Sequence, residues 1–122
     1  MMMVRCVKLL DSKGSEQNSS SWLTIDRSYV VLAIEQTLEG RWLVRLVSDK
    51  GIEPSLFPLE SFVVVAPKVS QRWVAYWTNN GTFQMAPKLW TEAGFWEKYY
   101  DRDPDAVRVF EDEKRRIDSE AI

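Results

Sequence analysis

Residues 22–66, WLTIDRSYVVLAIEQTLEGRWLVRLVSDKGIEPSLFPLESFVVVA, decide how this chain folds. Four apolar runs are separated by short polar turns, and each run has about the length of one strand. Tyr29–Glu35 (YVVLAIE) is β-branched and apolar, the composition of a strand, and Glu39-Gly40 then turns the chain. Trp42–Ser48 (WLVRLVS) follows, with Trp42, Val44 and Leu46 on one face and Leu43, Arg45 and Val47 on the other. Arg45 predicts that this second face is partly wet. Asp49-Lys50-Gly51 reads as a hairpin turn in which glycine supplies a positive φ. Glu53–Pro58 (EPSLFP) is a shorter strand flanked by prolines; proline cannot donate to a ladder, so this piece belongs at an edge or a kink. Leu59-Glu60-Ser61 makes one tight turn, and Phe62–Ala66 (FVVVA) closes the sheet. The pattern is that of a small, strongly bent antiparallel sheet.

On the N-terminal side, Val4–Leu10 alternates imperfectly and reads as a first strand. Asp11–Ser21 (DSKGSEQNSSS) holds almost nothing that can pack and reads as a long mobile loop. Trp22, Leu23 and Ile25 are expected to return the chain to the core. On the C-terminal side, Trp73–Trp77 (WVAYW) and Thr82–Met85 (TFQM) flank Asn79-Asn80-Gly81, and Asn-Gly between two apolar runs is a strong hairpin signal. Pro87–Ala93 suits a short helix ended by Gly94. Phe95–Tyr100 adds one more turn. Asp103-Pro104 opens the last helix, with Asp as N-cap and Pro at the first helical position. Val107, Phe110 and Ile117 form its apolar stripe, and the run Glu111–Arg116 gives its other face paired charge.

Composition narrows the function. The 122 residues suffice for one domain with one core. There is no histidine and one cysteine, Cys6, so no Ser-His or Cys-His dyad and no common zinc site can form. No phosphate-binding glycine motif is present. Asp101-Arg102-Asp103-Pro104-Asp105 opens like a calcium loop, but Ala106 stands where that loop needs glycine and Asp112 where it needs glutamate. Its carboxylates are better explained by the helix N-terminus they precede. No cofactor or metal is expected. A carboxylate-only enzyme would need an acid embedded in apolar surroundings, and no run supplies one.

The net charge of −2 gives no general attraction to nucleic acid or to an anionic membrane. Residues 1–90 carry ten Lys/Arg against eight Asp/Glu, whereas residues 91–122 carry six against ten. An acidic C-terminal quarter is a docking face for a basic partner, or else a solvated helix exterior. The best nucleic-acid candidates are Lys68, Arg72, Trp73, Tyr76, Trp77 and Lys88, a thin set opposed by the acidic tail. Cys6 lies in an apolar run and is expected to be buried; a reducing compartment follows. With no apolar run of membrane-spanning length and no signal-like N-terminus, a cytoplasmic protein is expected.

Two segments carry a family resemblance. Trp22, Leu23, Thr24, Ile25, Tyr29, Val31, Leu32 and Ile34, then Ser48, Asp49, Gly51, Pro54, Leu56, Phe57, Pro58, Phe62 and Val65, follow a pattern of small bacterial proteins with an SH3-like barrel. Gly94, Phe95, Trp96, Glu97, Tyr99, Tyr100, Asp101, Asp103, Pro104 and Ala106 resemble a companion segment of the same proteins. Together the segments cover most of residues 22–117. Proteins of this pattern are similar to immunity proteins of contact-dependent and polymorphic toxin systems. The resemblance implies a non-catalytic inhibitor that binds one cognate toxin domain, for which a basic nuclease is the natural electrostatic match. It transfers no inhibitory residue, because such proteins vary their contact surface.

The expected fold is therefore α+β and β-rich. An SH3-like bent antiparallel barrel over residues 1–66 is followed by a β-hairpin and C-terminal helices over 67–122, packed on the barrel as one compact domain. Candidate partner-binding residues are Asp101, Asp103, Asp105 and Glu111 for steering, and Trp73 and Trp77 as anchors. The alternative is an SH3-like module binding nucleic acid or a peptide through exposed aromatics.

Overall fold

The apolar run Tyr29–Glu35 is the pivot of the molecule. In the computed structural model, which describes residues 1–122, it is broken at Val31-Leu32 into two strands that serve different sheets. The Val31 amide donates to the Met2 carbonyl at 2.9 Å and the next amide, Leu32, to the Arg45 carbonyl at 2.8 Å. Successive donors thus pair with different neighbouring strands, and the bend leaves neither amide unmet.

The strands are β1 (Met3–Cys6), β2 (Leu9–Leu10), β3 (Glu16–Gln17), β4 (Ser28–Val30), β5 (Ala33–Gln36), β6 (Trp42–Val47), β7 (Pro54–Pro58), β8 (Phe62–Ala66), β9 (Trp73–Trp77) and β10 (Phe83–Pro87). The helices are α1 (Phe95–Tyr100) and α2 (Pro104–Asp118), with 3-10 turns at Leu59–Ser61 and Lys88–Thr91. One sheet has the order β4-β1-β8, the other β7-β6-β5-β10-β9, and β2-β3 form a small ribbon; the pairings are antiparallel. This is a mixed α+β fold.

The expected barrel is not closed. The C-terminal hairpin β9–β10 pairs with the free edge of β5, so the larger sheet grows outward. Strand β7 is the other edge of that sheet, as its two prolines require. The 3-10 turn at Leu59–Ser61 then carries the chain to β8 in the three-stranded sheet.

A cluster of buried side chains runs from Met1 and Val4 through Val31, Leu32, Val44 and Leu46 to Phe110 and Ile117. Asp103 caps α2 as its sequence requires: its Oδ2 accepts from the Ala106 amide at 3.0 Å, with Pro104 next in line. Ala106, Phe110 and Ile117 are buried on the inner stripe, with Val107 at its margin. Glu113 shares that stripe. Its burial is matched by Arg72, whose Nε and Nη2 donate to its two carboxylate oxygens at 2.8 and 2.7 Å. This clamp ties α2 to the start of β9. No helix is long and apolar enough to cross a membrane.

Several local expectations are corrected. The loop after Leu10 is folded: Asp11 Oδ1 accepts from the Lys13 and Ser15 amides, and the β2–β3 ribbon follows. Leu23 is buried, but Trp22 and Ile25 are exposed, and the Lys50 ammonium lies 4.4 Å from the centre of the Trp22 ring. The positive φ falls at Gly40 and Gly81, in the turns before β6 and β10, and not at Gly51. The helix read over Pro87–Ala93 shortens to the 3-10 turn, followed by Gly94 at φ 78° before α1. Cys6 is buried as expected, and burial pushes its thiol pKa up.

A candidate protein-binding surface at the open end of the larger sheet

Trp73 and Trp77 belong to one edge strand but meet different surroundings. Trp73 is buried, and its indole Nε1 donates to the Leu32 carbonyl at 2.8 Å. The β5–β10 register pairs Met85 with Ile34, and continuing it places Pro87 opposite Leu32. Proline has no N–H to offer, and the indole fills that role at the bend. Trp73 is therefore a core residue, which corrects its expected part as a surface anchor. Trp77 is 69% exposed.

The acidic residues differ in what they face. The Asp103 carboxylate accepts from the Ala106 amide of α2. Asp105 pairs with Arg108 at 2.7 Å on the exposed first turn of the same helix. Asp101 and Glu111 are exposed. Among the nucleic-acid candidates, Arg72 faces Glu113 and Trp73 faces the core, so the basic-aromatic stripe is broken.

The structure assembles instead a row that sequence spacing does not show. Trp42 pairs with Gln36 across β6–β5, and Phe83 with Trp77 across β10–β9. The Phe83 amide donates to Gln36 Oε1 at 3.4 Å, which joins the two pairs. Ring centres are 6.0 Å apart for Trp42–Phe83 and 5.2 Å for Trp77–Phe83, both edge-to-face. The row lies across four strands at one end of the sheet. Leu38, 70% exposed, stands in the turn beside Trp42. The strands were legible one by one in the sequence; the β10–β5 pairing that joins the hairpin to them was not.

The opposite face of the sheet is covered. Arg45, expected on a wet face, is 6% exposed because α1 lies over it. Its guanidinium sits 3.8 Å from the centre of the Trp96 ring, with Nη2 donating to Glu35 Oε2 and Nη1 to the Tyr100 hydroxyl, each at 3.2 Å. Trp90 stacks on Phe110 at 5.0 Å and meets Trp96 edge-on at 5.6 Å. Burial first, and then the Glu35 charge, push the Tyr76 phenol pKa up. The Tyr76 hydroxyl donates to Gln84 Oε1.

Between this cover and β9 runs a groove of about 470 Å³. Glu35, Tyr76 and Trp77 border it on the sheet side, and Glu92, Trp96 and Glu97 on the other. No group of three or more His, Cys, Asp or Glu side chains is placed to hold a metal ion. An open aromatic row, an unpaired strand edge and a groove rich in carboxylates can bind another surface through apolar contact, main-chain pairing and charge.

Comparison of the chain with protein-family models, with curated proteins and with solved structures finds no match.

Proposed function

We propose that this chain is a non-catalytic immunity protein that binds a cognate bacterial toxin domain and occludes its active site in the cytoplasm. The observation that carries the reading is the exposed row Trp42–Phe83–Trp77 beside the unpaired edge of β9. Large rings with one face open and side chains already packed against each other lose little freedom on binding, which suits slow dissociation. An SH3-like origin for the first 66 residues is supported by β1 lying between β4 and β8, the strand bent at Val31-Leu32, and the 3-10 turn between β7 and β8.

The test is protection. A toxin-like reading frame directly upstream of this one would supply the candidate toxin, and its toxin domain is expected to arrest growth when expressed alone. Co-expression of this chain should restore growth and yield a stable one-to-one complex. Arrest that persists at excess of this chain, with no complex on gel filtration, rejects the proposal.

A further inference from the structure

The four strands that end the two larger sheets are not alike. Strand β7 carries a proline at each end, β8 meets β1 through a register shift between Met3 and Val4, and β4 is only three residues long. Prolines, bulges and shortness are the usual guards against a foreign strand. Strand β9 has none of them: it pairs with β10 at all five of its positions without a shift. The hairpin Trp73–Pro87 also holds no charged residue, in a chain that is 28% charged.

The register shows which main-chain groups of this edge stay free. The Thr78 amide donates to the Thr82 carbonyl at 2.8 Å, so Thr78, Tyr76 and Val74 turn their main-chain groups to β10. Ala75 and Trp77 turn theirs outward, where no further strand meets them. Both are exposed, and they share one face of the strand. An occupant of this edge must bring N–H and C=O groups at strand spacing, which selects an extended backbone.

We propose that β9 is a self-pairing edge that takes β9 of a second copy of this chain, antiparallel, about a two-fold axis at Tyr76. In that register Ala75 exchanges main-chain hydrogen bonds with Trp77 of the second copy, and Trp77 with Ala75 of the second copy. Each large, exposed ring lies across a single methyl group, and Val74 lies across from Thr78. No like charges meet, because the hairpin carries none. The neighbouring registers fit worse. An axis at Ala75 sets Trp77 against Trp73, whose amide already donates to the Ser70 carbonyl at 3.2 Å. An axis at Trp77 opposes the two largest rings and runs Ala75 into the hairpin turn.

Self-pairing is a property of the chain alone and stands apart from the inhibitor reading. A toxin domain seated on Trp77 and a second copy on the edge exclude each other, so the one-to-one complex forms from the monomer. One five-residue edge is a small contact beside the roughly 1,200–2,000 Å² of stable interfaces. The dimer is therefore weak, with a dissociation constant on the order of 100 μM.

Analytical ultracentrifugation of the whole chain, from about 10 μM to about 1 mM, should show monomer passing to dimer. Ala75→Pro removes an outward donor that β10 does not use, so the dimer should be lost while circular dichroism stays that of the parent. Cysteine pairing tests the register without a proline. Tyr76→Cys brings two thiols across the axis with Cα atoms about 4.5 Å apart, within disulfide reach. Val74→Cys leaves them about 14 Å apart. Under mild oxidation Tyr76→Cys should give a covalent dimer and Val74→Cys none; Cys6 is buried and stays out of reach. A chain that remains monomeric at about 1 mM overturns the proposal and leaves the edge to a strand of another protein. Dimers that survive Ala75→Pro, or that cross-link as readily at Val74 as at Tyr76, also overturn it and assign self-association to another surface, such as the exposed Val63, Val64 and Val65 of β8.

Discussion

The two ends of β9 show how one strand can serve a core and a surface. Trp73 and Trp77 are four residues apart and project from the same face of the strand. At the Trp73 end, Arg72 grips Glu113 of α2 and the indole reaches the Leu32 carbonyl, so the ring is enclosed. At the Trp77 end the ring stands mostly in solvent, and its aromatic contact is the edge-to-face one with Phe83, which Trp42 meets in turn. The strand period decides which side chains share a face. Whether that face is covered is decided by groups distant in sequence, here the Leu32 carbonyl, 41 residues from Trp73.

The largest effect should come at the covered end. Trp73→Ala removes a buried ring and leaves the Leu32 carbonyl unmet at the bend; it should cost about 3–5 kcal/mol, read from urea unfolding. Trp73→Phe keeps most of the packing and should recover a large part of that loss. A Trp73→Ala variant as stable as the parent would mean that the bend does not depend on the indole, and the contrast between the two ends would collapse.

The covered side also predicts an alkaline limit. Tyr99 is buried among Trp96, Tyr100 and Phe110, and burial pushes its phenol from 10.0 up to about 12. The folded state holds this proton more tightly than the unfolded chain does. Its contribution is therefore complete below pH 10 and is lost as pH rises from there through about 12. At about 1.4 kcal/mol per unit, the loss is roughly 2–3 kcal/mol. Tyr29, Tyr76, Tyr100 and Cys6 are shifted in the same direction and steepen the decline. Unfolding free energies measured across this range should fall less steeply for Tyr99→Phe. A slope indifferent to that substitution would show that the ring is wetter than its packing implies.

What could be read in the chain follows the same division. Local chemistry was legible: the Asp103-Pro104 helix start, the Asn-Gly hairpin, the edge placement of EPSLFP, and the burial of Cys6. Long-range placement was not. Arg45 looked like a mark of a wet face because its counter-groups, Glu35, Trp96 and Tyr100, come from another strand and from a helix. The acidic run before α2 was legible as a helix start, and Asp103 accepts from the Ala106 amide, but the pairing of Asp105 with Arg108 was not read. The aromatic row could not be seen at all before β10 was known to pair with β5. Nothing in the spacing of Trp42, Phe83 and Trp77 announces that four adjacent strands bring them together.

The smallest effect on stability should come at the open end, and it is the most discriminating. Trp77→Ala removes a ring that is already mostly in water, so little apolar area is returned to solvent. What is lost is the edge contact with Phe83, worth about 0.5–1.5 kcal/mol at full strength and less at an exposed site. The variant should therefore unfold within about 1 kcal/mol of the parent. Its affinity for a toxin domain should nevertheless fall by about 2 kcal/mol or more, as expected for a central aromatic anchor, with calorimetry as the measure. If stability falls instead as far as it does for Trp73→Ala, the open end is a structural element and the row is packing. If stability and affinity both hold, the row lies outside the interface. A small change in folding with a large change in binding is the only pattern that assigns the two tryptophans of β9 to different tasks.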